Sequence, residues 1–189
     1  MKIYFFGGSF DPPHRAHKMI YKYCINFCDK FIFIPSGQTP GKSLPLIANY
    51  DRIEMLKLLI DKKDSSKVLI DDFEIKSHNK PNYTINTILY LQKKFNNSTL
   101  NMVIGEDQYT NLMNWKNYKD IIDKVKITCF KRSGFHSSNF SNDFLVNFNH
   151  NISSSKIREN LINGNSVQLD KYLNKKIINY INKNKLYRN

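Results

Sequence analysis

Two histidines stand three positions apart near the start of the chain, within the stretch GGSFDPPHRAH (7–17). Residues with this spacing share one face of a helix, so His14 and His17 would lie together on the first turn of a helix that begins there. That turn also presents main-chain N–H groups without partners in the helix, and it is the positive end of the helix dipole. Two imidazoles beside such a helix end favour a site for an anion, and a phosphate is the natural occupant.

The residues just before the histidines support the same interpretation. Gly7 and Gly8 have no Cβ, so a ligand can approach their main chain and reach its N–H groups. Ser9 and Phe10 follow, and the Asp-Pro-Pro turn stiffens the entry into the helix. Each feature alone is common in proteins that bind nothing there, and the histidines could instead ligate a metal, although no third ligand lies nearby. The unbroken combination indicates a phosphate site.

A second stretch, ISSSKIREN (152–160), could supply the other half of such a site. Ser153, Ser154 and Ser155 can cap a helix and offer N–H and O–H donors to an anion. Arg158 falls in the first turns of that helix, where its forked guanidinium can pair with phosphate oxygens. A serine cap near an arginine is ordinary alone, but together with the first stretch it predicts two half-sites for one triphosphate.

The elements that would position these residues alternate between strand and helix. Short apolar runs predict strands at 2–6, 30–35, 67–71, 99–105 and 125–130, with one further short strand at 144–148. Helical spacing predicts helices over 14–28, from about 50, from a cap at Thr84, over 107–123, from about 153 to Gly164, and in the tail. This alternation predicts an α/β fold with a Rossmann-like, doubly wound, mostly parallel sheet and helices on both faces.

We expect one domain over 1–189, with a C-terminal helical part from about 152. In sheets of this kind, ligands bind at the carboxyl ends of the strands where the strand order switches, and Gly7 and Gly8 follow the first strand. The Ser/Asn-rich stretch 133–151 is expected to form loops around the short strand, and its role is left open.

Composition narrows the possible functions. With 189 residues and 41% hydrophobic content, the chain is long enough for a sizeable core, and no apolar run could cross a membrane. The first residues contain no signal-peptide core, so we expect a cytoplasmic protein. Cys24, Cys28 and Cys129 are expected to be buried thiols. The net charge of +13 attracts anions, but lysine is abundant throughout, so no nucleic-acid or membrane partner is expected.

Together the two stretches resemble the signatures of the HxxH nucleotidylyltransferases, G-x-F-D-P-x-H-x-G-H and I-S-S-T-x-I-R. Ala16 stands where glycine is usual, and Ser155 stands where threonine is usual. The resemblance implies that His14, His17 and Arg158 act on the phosphates of ATP and are the catalytic residues. It also implies that residues 7–10 and 153–155 bind ATP.

Three middle segments are similar to the bacterial-type nicotinate/nicotinamide mononucleotide adenylyltransferases: PSGQTPGK (35–42), YTINT (83–87) and VIGEDQYTNLMNWKNY (103–118). Gly41 and Asn86 depart from the pattern of this subfamily. The resemblance implies that Lys42 reaches the mononucleotide phosphate and that Tyr83 and Thr84 meet the pyridine substituent.

The last of these segments carries the remaining implied roles. Gly105 and Asp107 would hold the adenosine ribose of ATP, and Trp115 would line or stack on the pyridine ring. Taken without the resemblance, a lone tryptophan is usually a core residue, and a Gly-x-Asp after a strand is usually a turn.

The reaction that this resemblance implies joins ATP with nicotinate or nicotinamide mononucleotide, releasing pyrophosphate, with Mg²⁺ accompanying ATP and no other metal site. One alternative is another adenylyltransferase of the same fold, such as one acting on phosphopantetheine. A second is a non-catalytic, basic nucleotide- or nucleic-acid-binding protein that uses the lysine-rich tail. The choice between acid and amide, and between a monomer and a homo-oligomer, is left open.

Overall fold

The computed structural model describes residues 1–131, 144–147, 152–164 and 169–188. Within them, six strands form one sheet in the order β3-β2-β1-β4-β5-β6. The strands are β1 Lys2–Gly8, β2 Lys30–Pro35, β3 Val68–Ile70, β4 Thr99–Gly105, β5 Lys126–Lys131 and β6 Phe144–Asn147. All five pairings are parallel, so the predicted α/β sheet, including its short sixth strand, is confirmed.

The central strand β1 explains why the sheet is covered on both faces. Successive side chains of a strand point to opposite faces. Tyr4 accordingly belongs to one buried apolar cluster, whereas Ile3 and Phe5 belong to another. A strand that is apolar at consecutive positions needs cover on both sides, which is typical of parallel sheets.

Helices supply this cover. They are α1 Arg15–Cys24, α2 Asn49–Leu59, α3 Phe73–Lys76, α4 Thr84–Lys94, α5 Glu106–Tyr109, α6 Tyr118–Lys124, α7 Ser154–Ile162, α8 Leu169–Tyr172 and α9 Lys175–Lys183. Buried residues of α1, α2, α7, α8 and α9 belong to the first cluster, and those of α4, α5 and α6 belong to the second. The sheet is therefore doubly wound, as predicted.

The first helix is shorter than predicted. It ends at Cys24 instead of 28, and the side-chain amide of Asn26 donates to the carbonyls of Lys22 and Tyr23. An asparagine that satisfies the last carbonyls competes with further helical hydrogen bonds, which accounts for the early end.

Two further helix predictions need correction. The predicted helix at 107–123 is split into α5, a 3₁₀ turn at Leu112–Asn114 and α6, and Asn117 adopts φ +58° just before α6. Thr84 is not the cap of α4 but its first residue, because Tyr83 has the extended backbone of an N-cap (φ −96°, ψ 137°).

The three cysteines are buried free thiols, as expected. Burial raises the pKa of the Cys28 thiol to about 11. Across the described residues, no helix is long and apolar enough to span a membrane.

Candidate active site

The stretch GGSFDPPHRAH lies at the carboxyl end of β1, where the strand order reverses between β1 and β4. Gly7 and Gly8 pair with Ile34 and Pro35 of β2, so the predicted glycines are the last residues of the central strand. This is the edge of a doubly wound sheet at which ligands bind.

Phe10 folds back against this strand end. It adopts φ +49° and is almost fully buried, and a Cβ on Gly8 would lie only 3.2 Å from its ring. The Phe10 ring meets Phe33 edge to face at 5.3 Å and His17 at 5.0 Å. Its side chain therefore supports the His17 ring from the core, which leaves only the main chain of Phe10 for the predicted contact with ATP.

The two histidines lie together at the start of α1, as predicted. His14 is the N-cap, its N–H donates to Nδ1 of His17 at 3.1 Å, and the two rings stack at a centroid distance of 3.7 Å. An imidazole whose Nδ1 accepts a main-chain hydrogen bond carries its proton on Nε2. His17 thus presents an N–H donor, and its half-buried ring is more exposed than that of His14, which is 3% exposed.

Asp11, which the sequence analysis did not single out, connects the histidine motif to three distant segments. Its Oδ1 accepts a hydrogen bond from the Tyr187 hydroxyl at 2.7 Å, and its Oδ2 accepts one from the N–H of Leu46 at 2.8 Å. Its main-chain carbonyl accepts one from Nη1 of Arg158 at 2.6 Å. Because Asp11 is only 2% exposed, these partners compensate a buried carboxylate.

The second predicted half-site lies directly against the first. Ser153 caps α7 by accepting from the N–H of Lys156, and the Ser154 hydroxyl donates to the carbonyl of Pro12 at 3.0 Å. Nη2 of Arg158 donates to Oγ of Ser155 at 3.2 Å, and the Arg158 side chain is 27% exposed. The structure therefore brings together the two motifs that the sequence predicted as halves of one site.

Gly105 and Asp107 lie at the end of β4, beside β1. The last pair of these strands is Phe6 with Val103, so Gly8 and Gly105 stand two residues beyond it at the same edge of the sheet. A Cβ on Gly105 would lie 2.7 Å from Oδ1 of Asp107. A side chain at position 105 would displace this carboxylate, so the glycine leaves it room at the strand end.

The predicted mononucleotide residues occupy two separate places. Lys42 is exposed in the loop at 36–48, where its N–H donates to the carbonyl of Thr39. In the described part of the chain, no hydrogen bond or ion pair joins Lys42 to another predicted site residue. Its loop is nevertheless tied to the histidine motif, because Leu46 bonds to Asp11.

Tyr83 and Thr84 lie at the start of α4, and Lys116 places its ammonium 4.4 Å from the centre of the Tyr83 ring. A cavity of about 320 Å³ opens beside them, lined by Tyr83, Ile85, Asn86, Leu89, Lys116, Asn117, Asp120 and Lys124. Trp115 is half-buried and packs against the second cluster. It therefore has a structural contact, as the core interpretation of a lone tryptophan requires.

Arg52 is a residue that sequence reasoning missed. It is fully buried in α2, where Nη1 donates to the carbonyl of Ser9 at 2.6 Å and Nη2 donates to that of Ser36 at 2.8 Å. It thereby joins the segments that follow β1 and β2, and burial lowers its pKa. One signal was available, because Arg52 precedes Met55, Leu56 and Leu59 at the spacing of a buried helix face.

With this geometry established, comparisons define the class of protein. The model of the cytidylyltransferase-like family matches residues 5–160, and the chain belongs to that family. A probable nicotinate-nucleotide adenylyltransferase from Leptospira borgpetersenii is 35% identical over 96% of this chain and 94% of its own length. One from Fusobacterium nucleatum is 33% identical over 97% of this chain and 98% of its own. Within the family, the chain thus groups with the nicotinate-nucleotide adenylyltransferases.

Solved structures agree on the fold. The nicotinic acid mononucleotide adenylyltransferase of Plasmodium falciparum, complexed with NaAD, matches with a TM-score of 0.85 at 24% identity. The match covers 98% of this chain and 97% of that one.

Proposed function

We propose that this protein transfers the adenylyl group of ATP to nicotinate mononucleotide, releasing pyrophosphate and forming deamido-NAD in the biosynthesis of NAD. The observation that carries the proposal is the junction of the two half-sites. Ser154 and Arg158 of α7 hydrogen bond to the carbonyls of Pro12 and Asp11, just before the histidine pair. The near-full-length relatives bear the name of this activity.

The chemistry needs no general base. The mononucleotide phosphate is already ionised at neutral pH, so it can attack the α-phosphorus of ATP in line while pyrophosphate departs. What such a step requires is positioning and stabilisation of the charge that develops on the leaving group. The Nε2–H of His17 and the guanidinium of Arg158 are the donors that we assign to this charge, together with His14.

On the ATP side, the main chain of residues 7–10 and the serines at 153–155 would line the triphosphate. Gly105 and Asp107, at the adjacent strand end, would hold the ribose, because a carboxylate can accept hydrogen bonds from the ribose hydroxyls. This arrangement is supported by the position of both strand ends at the switch point of the sheet.

On the mononucleotide side, Lys42 would contact the phosphate and reduce the repulsion between the two anionic substrates. Tyr83 and Thr84 would meet the pyridine carboxylate at the start of α4, and Trp115 would line the ring. The first turn of α4 contains no acidic residue, and its N–H groups and positive dipole end favour a carboxylate over a neutral amide. We therefore propose nicotinate mononucleotide as the preferred substrate.

Mg²⁺ would accompany ATP and offset part of the negative charge of its phosphates. Among the described residues, no group of three or more His, Cys, Asp or Glu side chains lies together in a way that could cage a metal.

We also propose that the reaction takes place in the cytoplasm.

The test is pyrophosphate release from ATP and Mg²⁺, with nicotinate mononucleotide, nicotinamide mononucleotide and phosphopantetheine supplied separately. We expect release with nicotinate mononucleotide, less with the amide, none with phosphopantetheine, and loss of the signal when EDTA removes the metal. A higher efficiency with the amide would overturn the substrate preference alone. If folded protein released no pyrophosphate with either mononucleotide, the proposed activity would be overturned. Release with phosphopantetheine alone would instead identify a phosphopantetheine adenylyltransferase.

A further inference from the structure

The chain bends sharply after its last helix. Lys185 and Tyr187 adopt φ values of +53° and +59°, a left-handed backbone that bulky side chains rarely occupy. The N–H of Leu186 bonds back to the carbonyl of Ile181 at 3.0 Å, which fixes the bend against α9. Such strained conformations persist only where surrounding contacts determine them, and they cluster at functional sites.

The bend carries the Tyr187 side chain into the histidine motif. Its hydroxyl donates to Oδ1 of Asp11 at 2.7 Å, across 176 positions of sequence, and Tyr187 is only 5% exposed. Burial, together with the nearby carboxylate of Asp11, raises the pKa of the Tyr187 phenol. The hydroxyl therefore stays protonated and remains a donor.

The Asp11 carboxylate is held in one orientation because its two oxygens serve different segments. Oδ1 accepts a hydrogen bond from the Tyr187 hydroxyl, whereas Oδ2 accepts one from the N–H of Leu46 and lies 3.9 Å from Nη1 of Arg158. If the tyrosine donor were lost, Oδ1 would lack that bond in a buried place, and the carboxylate would turn towards the remaining donors. Turning would disturb Leu46 and Arg158 together.

We propose that Tyr187 is a positioning residue for adenylyl transfer: by fixing the Asp11 carboxylate, it holds both Arg158 and the loop at 36–48 that carries Lys42. The proposal rests on the proposed function and extends it, because it makes the end of the chain part of the machinery that serves both substrates.

The test compares two tyrosines of the same C-terminal segment. Tyr187→Phe removes the hydroxyl and keeps the ring. Tyr180→Phe is the control, since Tyr180 also donates to an aspartate, Oδ1 of Asp51 at 2.8 Å. Asp51 belongs to α2 and not to the histidine motif. We measure melting temperature, kcat, and KM for ATP and for nicotinate mononucleotide, well below each variant's melting temperature.

We expect Tyr187→Phe to lower kcat/KM about tenfold for both substrates, the order expected for losing one hydrogen bond to a charged group. Tyr180→Phe should lower stability slightly and leave kcat and both KM values unchanged. The proposal would be overturned if Tyr187→Phe kept the kcat/KM of the wild type, or if both variants lost kcat/KM equally. A hydroxyl with only a structural role would give one of these two results.

A double-mutant cycle with Asp11→Asn tests whether Tyr187 acts through Asp11. If it does, adding Tyr187→Phe to Asp11→Asn causes little further loss, whereas losses that multiply would overturn the proposal. Calorimetric binding of Mg·ATP separates this outcome from failure of the proposed function. If the wild type binds ATP but releases no pyrophosphate, the activity fails, and weaker ATP binding by Tyr187→Phe still supports the positioning role. The positioning role is overturned if, with an inactive wild type, Tyr187→Phe binds ATP as tightly as the wild type does. It is also overturned if the wild type binds no ATP.

Discussion

His17 owes its chemical role to a hydrogen bond made by its other ring nitrogen. Because Nδ1 accepts from the N–H of His14, the ring cannot rotate freely, and the ring proton is carried on Nε2, which is the donor. The rings of Phe6 and Phe10 pack against it at 5.7 and 5.0 Å, which fixes its tilt. A donor held in place before the reaction begins stabilises developing charge without further reorganisation.

We therefore predict that His17→Ala lowers kcat by about 10²–10³-fold, the loss typical of removing one such donor. The variant should still fold, at a cost of about 0.5–2 kcal/mol, because the N–H of His14 loses its acceptor at the start of α1. Pyrophosphate release at saturating substrate and a thermal melt measure the two effects. His78→Ala, at an exposed histidine, is the control, and a His17→Ala variant with unchanged turnover would remove His17 from the mechanism.

A buried carboxyl joins α3 and α4 beside the loop at 36–48. Oε1 of Glu74 in α3 accepts from the hydroxyl of Thr87 in α4 at 2.6 Å. Burial raises the pKa of Glu74 to about 7, which the Thr87 hydrogen bond only partly offsets. Between pH 4.5 and 7 the folded protein thus holds a proton that the unfolded chain has released, so stability falls as the pH rises through this window.

Glu74→Gln should remove this dependence, since glutamine can accept from Thr87 without ever becoming charged. We predict that the variant is more stable than the wild type at pH 8, by up to about 3 kcal/mol, and that the difference disappears at pH 4. Chemical denaturation at the two pH values measures it. Glu159→Gln, at an exposed glutamate of α7, should show no comparable gain, and an equal difference at both pH values would contradict the assignment.

The elements that the sequence predicts well are those with a local cause. Strands β2 and β4 match their predicted bounds because each is, after its first residue, a mainly apolar run that ends at a proline or a glycine, interrupted only by Asn101 in β4. The break before α6 was missed because its cause is the left-handed backbone at Asn117, which the apolar pattern does not reveal. Asparagine is among the few residues that tolerate this conformation, so the signal was present but weak.

The same division holds for the candidate site. Its two motifs could be found because their residues are neighbours in sequence. The contacts that join them could not be found, since Arg158 meets the Asp11 carbonyl across 147 positions and Tyr187 meets the carboxylate across 176. No local spacing encodes such pairs, and only the folded sheet brings them together.

We propose that residues 1–189 unfold as one domain. Leu173, Ile177 and Ile181 of the C-terminal segment lie in the same buried cluster as Tyr4 of β1 and Leu56 of α2. The tail is therefore a layer of the core on one face of the sheet. Elements that share one core unfold cooperatively in small domains.

The sole tryptophan allows this cooperativity to be tested from the opposite face. Trp115 packs against the second cluster, whereas Ile177 is fully buried in the first. Ile177→Ala should cost about 2–5 kcal/mol, the usual range for truncating a buried isoleucine. If the protein is one cooperative unit, Trp115 fluorescence and far-UV circular dichroism will report the same lowered denaturation midpoint. Ile162→Ala, at a 39% exposed isoleucine of α7, should shift both midpoints far less. The C-terminal helices would instead be a separate unit if the fluorescence midpoint stayed at the wild-type value while the circular dichroism curve showed an additional transition at lower denaturant concentration.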